Sequence, residues 1–135
     1  MSKILGIDYG QKRIGIAITD DAKSQVFIRP TIDARSRGET MGVIVKLCQQ
    51  EQVEMIVLGW PVPLGGGKAV PVALEAFADT LKVQTGLPMV KFDERMTSGQ
   101  ADQWLHETPG TKPKGRRDQL SAMIILQNYL DSQKK

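Results

Sequence analysis

Residues 4–20 read ILGIDYGQKRIGIAITD, two apolar runs on either side of a polar turn. This pattern predicts two β-strands joined by a hairpin, with Asp8 at the end of the first strand. Burying a carboxylate without a partner is strongly unfavourable, so we expect Asp8 to face a cation or an open cleft, and metal binding is the first hypothesis. The alternative is that Asp8 merely begins the turn, because Asp and Gly are common turn residues.

The rest of the chain alternates short apolar runs with segments of helical spacing. A strand at about 26–32 contains Pro30, which marks it as an edge strand or a bulge. Gly86 is the expected end of the second helix. The predicted elements are strands 3–8, 13–19, 26–32, 54–59 and 88–92, helices 37–51, about 70–85, 97–106 and 117–131, and irregular segments 60–67 and 108–115. This order predicts an α/β fold, a five-stranded mixed sheet flanked by helices on both faces.

The composition is that of one globular domain spanning residues 1–135. Hydrophobic residues make up 41% and charged residues 24%, and no apolar stretch approaches the ~20 residues that span a bilayer. The start of the chain is too short for a signal peptide. The single cysteine, Cys48, cannot form an internal disulfide, which suits a reducing cytoplasm. It lies in a helical apolar pattern and is expected in the core. We therefore expect a cytoplasmic protein without a membrane segment.

Positive charge is concentrated near the C-terminus. Residues 112–135 contain six basic and two acidic residues, a formal charge of +4, whereas residues 1–111 carry −1. The run KPKGRR at 112–117 holds most of the excess. A basic loop of this kind suits the phosphate backbone of a nucleic acid, but a solvated loop that keeps the protein soluble explains the composition equally well.

Acidic residues occupy comparable predicted positions in three elements. Asp8 ends the first strand, Asp93 and Glu94 end the last, and Asp118 lies in the first turn of the final helix. Taken singly, Asp118 could interact favourably with the positive end of the helix dipole, and Glu94 could pair with a neighbouring cation. Together, at strand ends where ligand sites form, carboxylates could hold Mg²⁺ or Mn²⁺ for phosphodiester hydrolysis. The basic run just before Asp118 would bring a phosphate backbone to them.

These features resemble a known family. The matching segments are GIDYG (6–10), KRIG (12–15), IVLGWP (56–61), DERMTS (93–98), KG (114–115) with Asp118 and Ala122, and ILQNYL (125–130). They look like the YqgF family, also called RuvX, over nearly the whole chain. The resemblance implies a ribonuclease H-like fold and a Mg²⁺-dependent nuclease of the bacterial cytoplasm. It further implies Holliday junction resolution or 5′-end maturation of precursor 16S ribosomal RNA.

The resemblance also implies site residues. The family's catalytic, metal-binding acids fall on Asp8, Glu94 and Asp118. Related resolvases place their second acid at the end of the fourth strand, where this chain has Gly59, so Glu94 would have to replace it. The loop after Gly59 usually reads Leu-Pro followed by Asn and Asp-Gly, whereas residues 60–67 here read WPVPLGGG, in which Trp60 could stack on a base. The expected nucleic-acid contacts are Lys12, Arg13, Trp60, Arg95, Lys112, Lys114, Arg116 and Arg117.

Three functions remain open from the sequence. The leading hypothesis is a metal-dependent nuclease acting on precursor ribosomal RNA or branched DNA, with ribosomal particles as possible partners. A phosphotransferase is a second, because GIDYG also resembles the first phosphate hairpin of sugar kinases and actin-like ATPases, although those proteins have two such domains. A non-catalytic RNA- or ribosome-binding module is the third.

GGGK at 65–68 is not a phosphate-binding P-loop, since Ala69 stands where Ser or Thr is needed. Whether the chain acts as a monomer or a homodimer stays open.

Overall fold

The computed structural model describes residues 3–10, 12–33, 37–61, 70–93 and 116–133. Within these ranges it contains strands β1 (Lys3–Asp8), β2 (Arg13–Thr19), β3 (Val26–Asp33), β4 (Val53–Trp60) and β5 (Met89–Asp93). The helices are α1 (Arg37–Glu51), α2 (Val72–Thr85) and α3 (Arg116–Gln133). The predicted helix 97–106 and the loop 108–115 lie outside the described residues.

The strands form one mixed sheet in the order β3-β2-β1-β4-β5. β1 pairs antiparallel with β2, and β2 with β3, so the first three strands form the predicted meander. β1 pairs parallel with β4, and β4 with β5. The strand that carries Asp8 is therefore the central one, as its apolar sequence predicted.

Alternate side chains of the sheet enter two separate cores. On one face, Leu5 and Ile7 of β1 pack in a buried cluster with residues of α1 and α2. On the other, Ile4 packs with Ala122 and Leu126 of α3. Because successive residues of a strand point to opposite faces, helices cover the sheet on both sides. The predicted α/β layering is confirmed.

Strand β3 is both an edge strand and bulged. Ile14 of β2 pairs with Ile32, but Ile16 pairs with Arg29, so β3 contains one extra residue in the interval that includes Pro30. Proline cannot donate a ladder hydrogen bond and is tolerated at such places. The prediction made from Pro30 is confirmed.

Two element ends refine the sequence interpretation. Gly86 ends α2 in the left-handed conformation, at φ 67°, and its N–H donates to the Lys82 carbonyl oxygen at 2.9 Å, as expected of a C-terminal glycine. Trp60 was assigned to an irregular segment, but this was wrong, because it is the last residue of β4 and pairs with Asp93 of β5. The remainder of that segment, from residue 62, lies outside the described ranges.

Cys48 is buried in α1, as predicted, and burial raises the pKa of its thiol to about 11. None of the described helices combines the length and the apolar character needed to cross a lipid bilayer.

Candidate metal and nucleic-acid site

The carboxyl ends of β1, β4 and β5 meet at one edge of the sheet, because these three strands are parallel. Asp8 ends β1 there, and its side chain is half-buried. The register places Ile7 beside Leu58 and Gly59 beside Phe92, so Asp8 is level with Gly59. In an open sheet this edge is where ligand sites form. Gly59 offers no side-chain ligand next to Asp8.

Asp8 lies on the face of the sheet that α3 covers, since it has the same parity along β1 as Ile4 and Gly6. α3 runs antiparallel to β1. Its last turns lie near Ile4, where Leu130 and Ile4 line a common pocket, and Ala122 and Leu126 lie against Gly6. The helix therefore begins near the edge that carries Asp8.

Asp118 is the third residue of α3 and so lies in its first turn, as the sequence predicted. It precedes Ala122 by four residues, or about one turn, so its position lies on the helix stripe that faces β1. The backbone thus brings the predicted positions of Asp8 and Asp118 to one end of the same strand–helix layer, although they are 110 residues apart in sequence.

Three contacts hold α3 against the sheet. The first is the close approach of α3 to Gly6, where an added Cβ would lie 2.8 Å from Leu126 Cβ and 3.2 Å from the Ala122 carbonyl oxygen. Near the start of the helix, Gln119 Nε2 donates to the Arg29 carbonyl oxygen at 3.1 Å. These two contacts were not predicted, because both are made between residues far apart in the chain.

The third contact joins α3 to β5. Phe92 packs edge-to-face against Tyr129, with ring centroids 6.1 Å apart and planes at 85°. This geometry suits the quadrupoles of the two rings. Val90 and Phe92 both pack in the α3-face core, so the strand that leads into Glu94 is tied to the same helix as β1.

The chain next to Asp8 is held from the opposite face. The Tyr9 ring packs against Phe77 of α2, with centroids 4.7 Å apart. Tyr9 also packs against the core formed with α1 and α2. An aromatic anchor directly after Asp8 limits the movement of the strand end that carries the carboxylate.

Trp60 lies at the same edge and is half-buried against the α1/α2 core. Lys91 Nζ stands 4.3 Å from the centroid of the Trp60 ring, a cation–π contact. The Lys91 ammonium therefore occupies part of the Trp60 ring face that was predicted to stack on a base. Lys91 was not predicted as a site residue. Only the pairing of β4 with β5, in which Trp60 lies opposite Asp93, brings Lys91 next to the Trp60 ring.

The predicted cations are only partly described. Lys12 is exposed and directly precedes Arg13, the first residue of β2. Arg116 and Arg117 begin α3. Glu94, Arg95, Lys112 and Lys114 lie outside the described residues. Among the residues that are described, no group of three His, Cys, Asp or Glu could hold a metal ion, so the predicted carboxylate triad stays a prediction.

Comparison with known proteins gives a consistent result. The model of the RuvX family, described as "Holliday junction resolvase", matches residues 2–132. A relative from Syntrophus aciditrophicus is 37% identical over 134 residues, covering 96% of this chain and 89% of the relative. One from Chloroflexus aurantiacus is 38% identical over 135 residues, covering 97% and 88%. Both are named "Putative pre-16S rRNA nuclease".

Solved structures give the same fold. RuvC of T. thermophilus in complex with a Holliday junction superimposes with a TM-score of 0.59 at 11% identity, covering 98% of this chain and 97% of that one. The fowlpox virus resolvase in complex with Holliday junction DNA gives a TM-score of 0.59 at 13% identity, covering 98% and 99%. The predicted ribonuclease H-like fold is confirmed.

Proposed function

Because the chain belongs to the RuvX family of nucleases, we propose that it hydrolyses phosphodiester bonds in structured nucleic acid at the sheet edge that carries Asp8. The observation that carries the proposal is the convergence of β1 and α3, which brings the positions of Asp8 and Asp118 to one end of one layer. The substrates are the 5′ end of precursor 16S ribosomal RNA, a four-way DNA junction, or both. The first accords with the names of the relatives, and the second with the junction complexes of proteins of the same fold.

The site suits a hard divalent cation. Asp8 offers carboxylate oxygens at this edge, and oxygen ligands are what Mg²⁺ and Mn²⁺ prefer. Asp8, Glu94 and Asp118 would hold the ion. Glu94 follows Asp93, the last residue of β5, in the chain, and it lies outside the described residues. A bound divalent ion supplies charge stabilisation at the phosphate and lowers the pKa of a bound water.

The chain's own cations would bind the backbone of the substrate. Lys12 and Arg13 follow Asp8 in the chain, and the basic run at 112–117 directly precedes Asp118. Phosphate contacts of this kind set the register of the nucleic acid without reading its sequence. The proposed contact residues are Lys12, Arg13, Trp60, Arg95, Lys112, Lys114, Arg116 and Arg117.

Residues 1–135 would act as one nuclease domain. A protein with a single free cysteine suits the reducing cytoplasm. Precursor ribosomal RNA and ribosomal particles would be its partners there. A monomer suffices for trimming an RNA end, whereas symmetric cutting of a four-way junction needs a homodimer with two sites about a two-fold axis. The solution mass of the active species therefore bears on the substrate.

The test compares wild type with Asp8→Asn and with Asp131→Asn, a matched control in the last turn of α3 at the opposite end of the layer. Each is incubated with Mg²⁺ or Mn²⁺ and either labelled four-way junction DNA or precursor 16S ribosomal RNA. We expect Asp8→Asn to lose cleavage while Asp131→Asn cuts like wild type. Binding without cutting by wild type, with Asp8→Asn indistinguishable from it, would refute the nuclease and favour the non-catalytic RNA-binding module.

A further inference from the structure

Gly6 lies in the middle of β1, two residues before Asp8, and faces α3. A Cβ on Gly6 would lie 2.8 Å from Leu126 Cβ, 3.2 Å from the Ala122 carbonyl oxygen and 3.3 Å from Leu126 Cδ2. Cβ contacts under 3.0 Å are essentially never observed in proteins. The two nearest atoms belong to the helix backbone or are bonded directly to it, so they cannot swing aside. α3 thus approaches β1 to a distance that only glycine permits.

Backbone conformation does not require this glycine. Among the described glycines only Gly86 has a positive φ, so a side chain at position 6 would be compatible with the local backbone. Glycine inside a strand also weakens it, because it loses more conformational freedom on folding and packs no side chain. The close approach of the helix is the feature that accounts for Gly6.

We propose that Gly6 is a positioning residue, which sets the separation between Asp8 and Asp118 by allowing α3 to lie close on β1. Asp8 follows Gly6 by two residues along the strand, and Asp118 precedes Ala122 by about one helical turn. The thickness of the strand–helix layer at Gly6 therefore sets how far the backbone at Asp118 lies from the backbone at Asp8. This inference rests on the proposed function, in which the two acids share a metal ion.

The size of the expected displacement follows from the contact. Opening the gap from 2.8 Å to the 3.4 Å of an ordinary contact requires α3 to retreat by about 0.6 Å. Functional groups must be held to within about 0.5 Å, and Mg²⁺ demands near-ideal octahedral geometry. Substituting residues that orient metal ligands typically lowers metal affinity by about 10- to 100-fold. We expect an effect of this size from the single added methyl of Gly6→Ala.

The experiment measures Mn²⁺ binding to the protein without nucleic acid, by the loss of the free-ion electron paramagnetic resonance signal, together with the Mg²⁺ concentration that half-saturates cleavage. Gly6→Ala is compared with Gly42→Ala, the same substitution in α1, where an added Cβ has nothing within 4 Å. Leu130→Ala is the second control, because it removes a buried side chain of the same core at the far end of α3.

We expect Gly6→Ala to weaken Mn²⁺ binding and raise the half-saturating Mg²⁺ concentration by about 10-fold or more, with Gly42→Ala unchanged. Leu130→Ala should lower the urea midpoint of unfolding without changing either metal measurement, which separates positioning from general loss of stability. A folded Gly6→Ala that binds Mn²⁺ like wild type would overturn the inference.

If Gly6→Ala does not fold, Leu126→Ile replaces it. This substitution conserves side-chain volume and adds a branch at the same Cβ that Gly6 accommodates, and such swaps usually cost less than about 1.5 kcal/mol. Unchanged Mn²⁺ binding by Leu126→Ile would then overturn the inference. Absence of Mn²⁺ binding and of cleavage in wild type would instead contradict the proposed function, and this role of Gly6 with it.

Discussion

Replacing Thr19 by valine tests how β1 is completed beside β2. Backbone pairing of the two strands runs from Asp8 with Gly15 to Leu5 with Ile18. Ile4 lies one residue beyond, and its backbone N–H donates to Thr19 Oγ1 at 2.9 Å. Both residues are buried, with Thr19 1% and Ile4 4% exposed, so water cannot replace the hydroxyl.

The expected loss of stability follows from this burial. Leaving a buried N–H without an acceptor costs about 1–3 kcal/mol. Valine offsets part of this, since a buried methyl in place of the hydroxyl contributes about 0.8 kcal/mol. We therefore expect Thr19→Val to lower the free energy of unfolding by about 0.2–2.2 kcal/mol. With a urea m-value of about 2 kcal/mol/M, the midpoint falls by about 0.1–1.1 M.

Urea unfolding followed by circular dichroism measures this change. Thr80→Val, the same substitution at an exposed position of α2, is the control and should stay within about 0.5 kcal/mol of wild type. The pair Thr19→Ser and Thr19→Ala isolates the hydroxyl, because these variants differ only in that group. A Thr19→Val protein more stable than wild type, or a Thr19→Ser protein no more stable than Thr19→Ala, would refute the reasoning.

Further predictions concern the thiol, the start of α3 and the basic run. At pH 8, Cys48 should react with a disulfide reagent about 100-fold more slowly in the folded protein than in urea, because burial raises its pKa from 9.0 to about 11 and the thiolate is the reactive form. For the same reason stability should fall as pH rises from about 9 to 11, where only the unfolded chain loses this proton; equal reaction rates would contradict both. Gln119→Leu removes the donor to the Arg29 carbonyl and should lower the free energy of unfolding by about 0.5–1.5 kcal/mol in urea titrations. Arg116→Ala combined with Arg117→Ala should weaken nucleic-acid binding irrespective of sequence and reduce the salt slope of log K by about 2, and an unchanged slope would exclude these residues as phosphate contacts.

The strands of the meander were predictable because successive side chains of a strand point to opposite faces of the sheet, so that apolar residues recur at every second position. The alternation of β1 and β2 gave the observed strand bounds, Lys3–Asp8 and Arg13–Thr19. Pro30 predicted that β3 is an edge strand or is bulged, since proline has no N–H to donate to a ladder, and β3 is both. Both features depend on local chemistry, which a sequence displays directly.

Contacts made by the tertiary structure were not predictable. Trp60 precedes Pro61 and was assigned to an irregular segment, yet its pairing with Asp93 and the Lys91 ammonium over its ring keep it in β4. The close approach of Leu126 to Gly6 joins residues 120 positions apart, so no local pattern signals it. Within the candidate site, the strand-end position of Asp8 and the first-turn position of Asp118 were confirmed, whereas the role of Glu94 stays a prediction.

The central position of β1 also bears on motion. β1 has a paired strand on each side, whereas in the described sheet β5 pairs with β4 alone. Amide hydrogens of a strand enclosed on both sides exchange with solvent only when a large cooperative unit opens, while an edge strand opens locally at lower free energy. We therefore expect the amide of Asp8 to exchange slowly and the amides of β5 to exchange faster. In the proposed site, adjustment to an incoming phosphate backbone is accordingly expected at β5 rather than at Asp8.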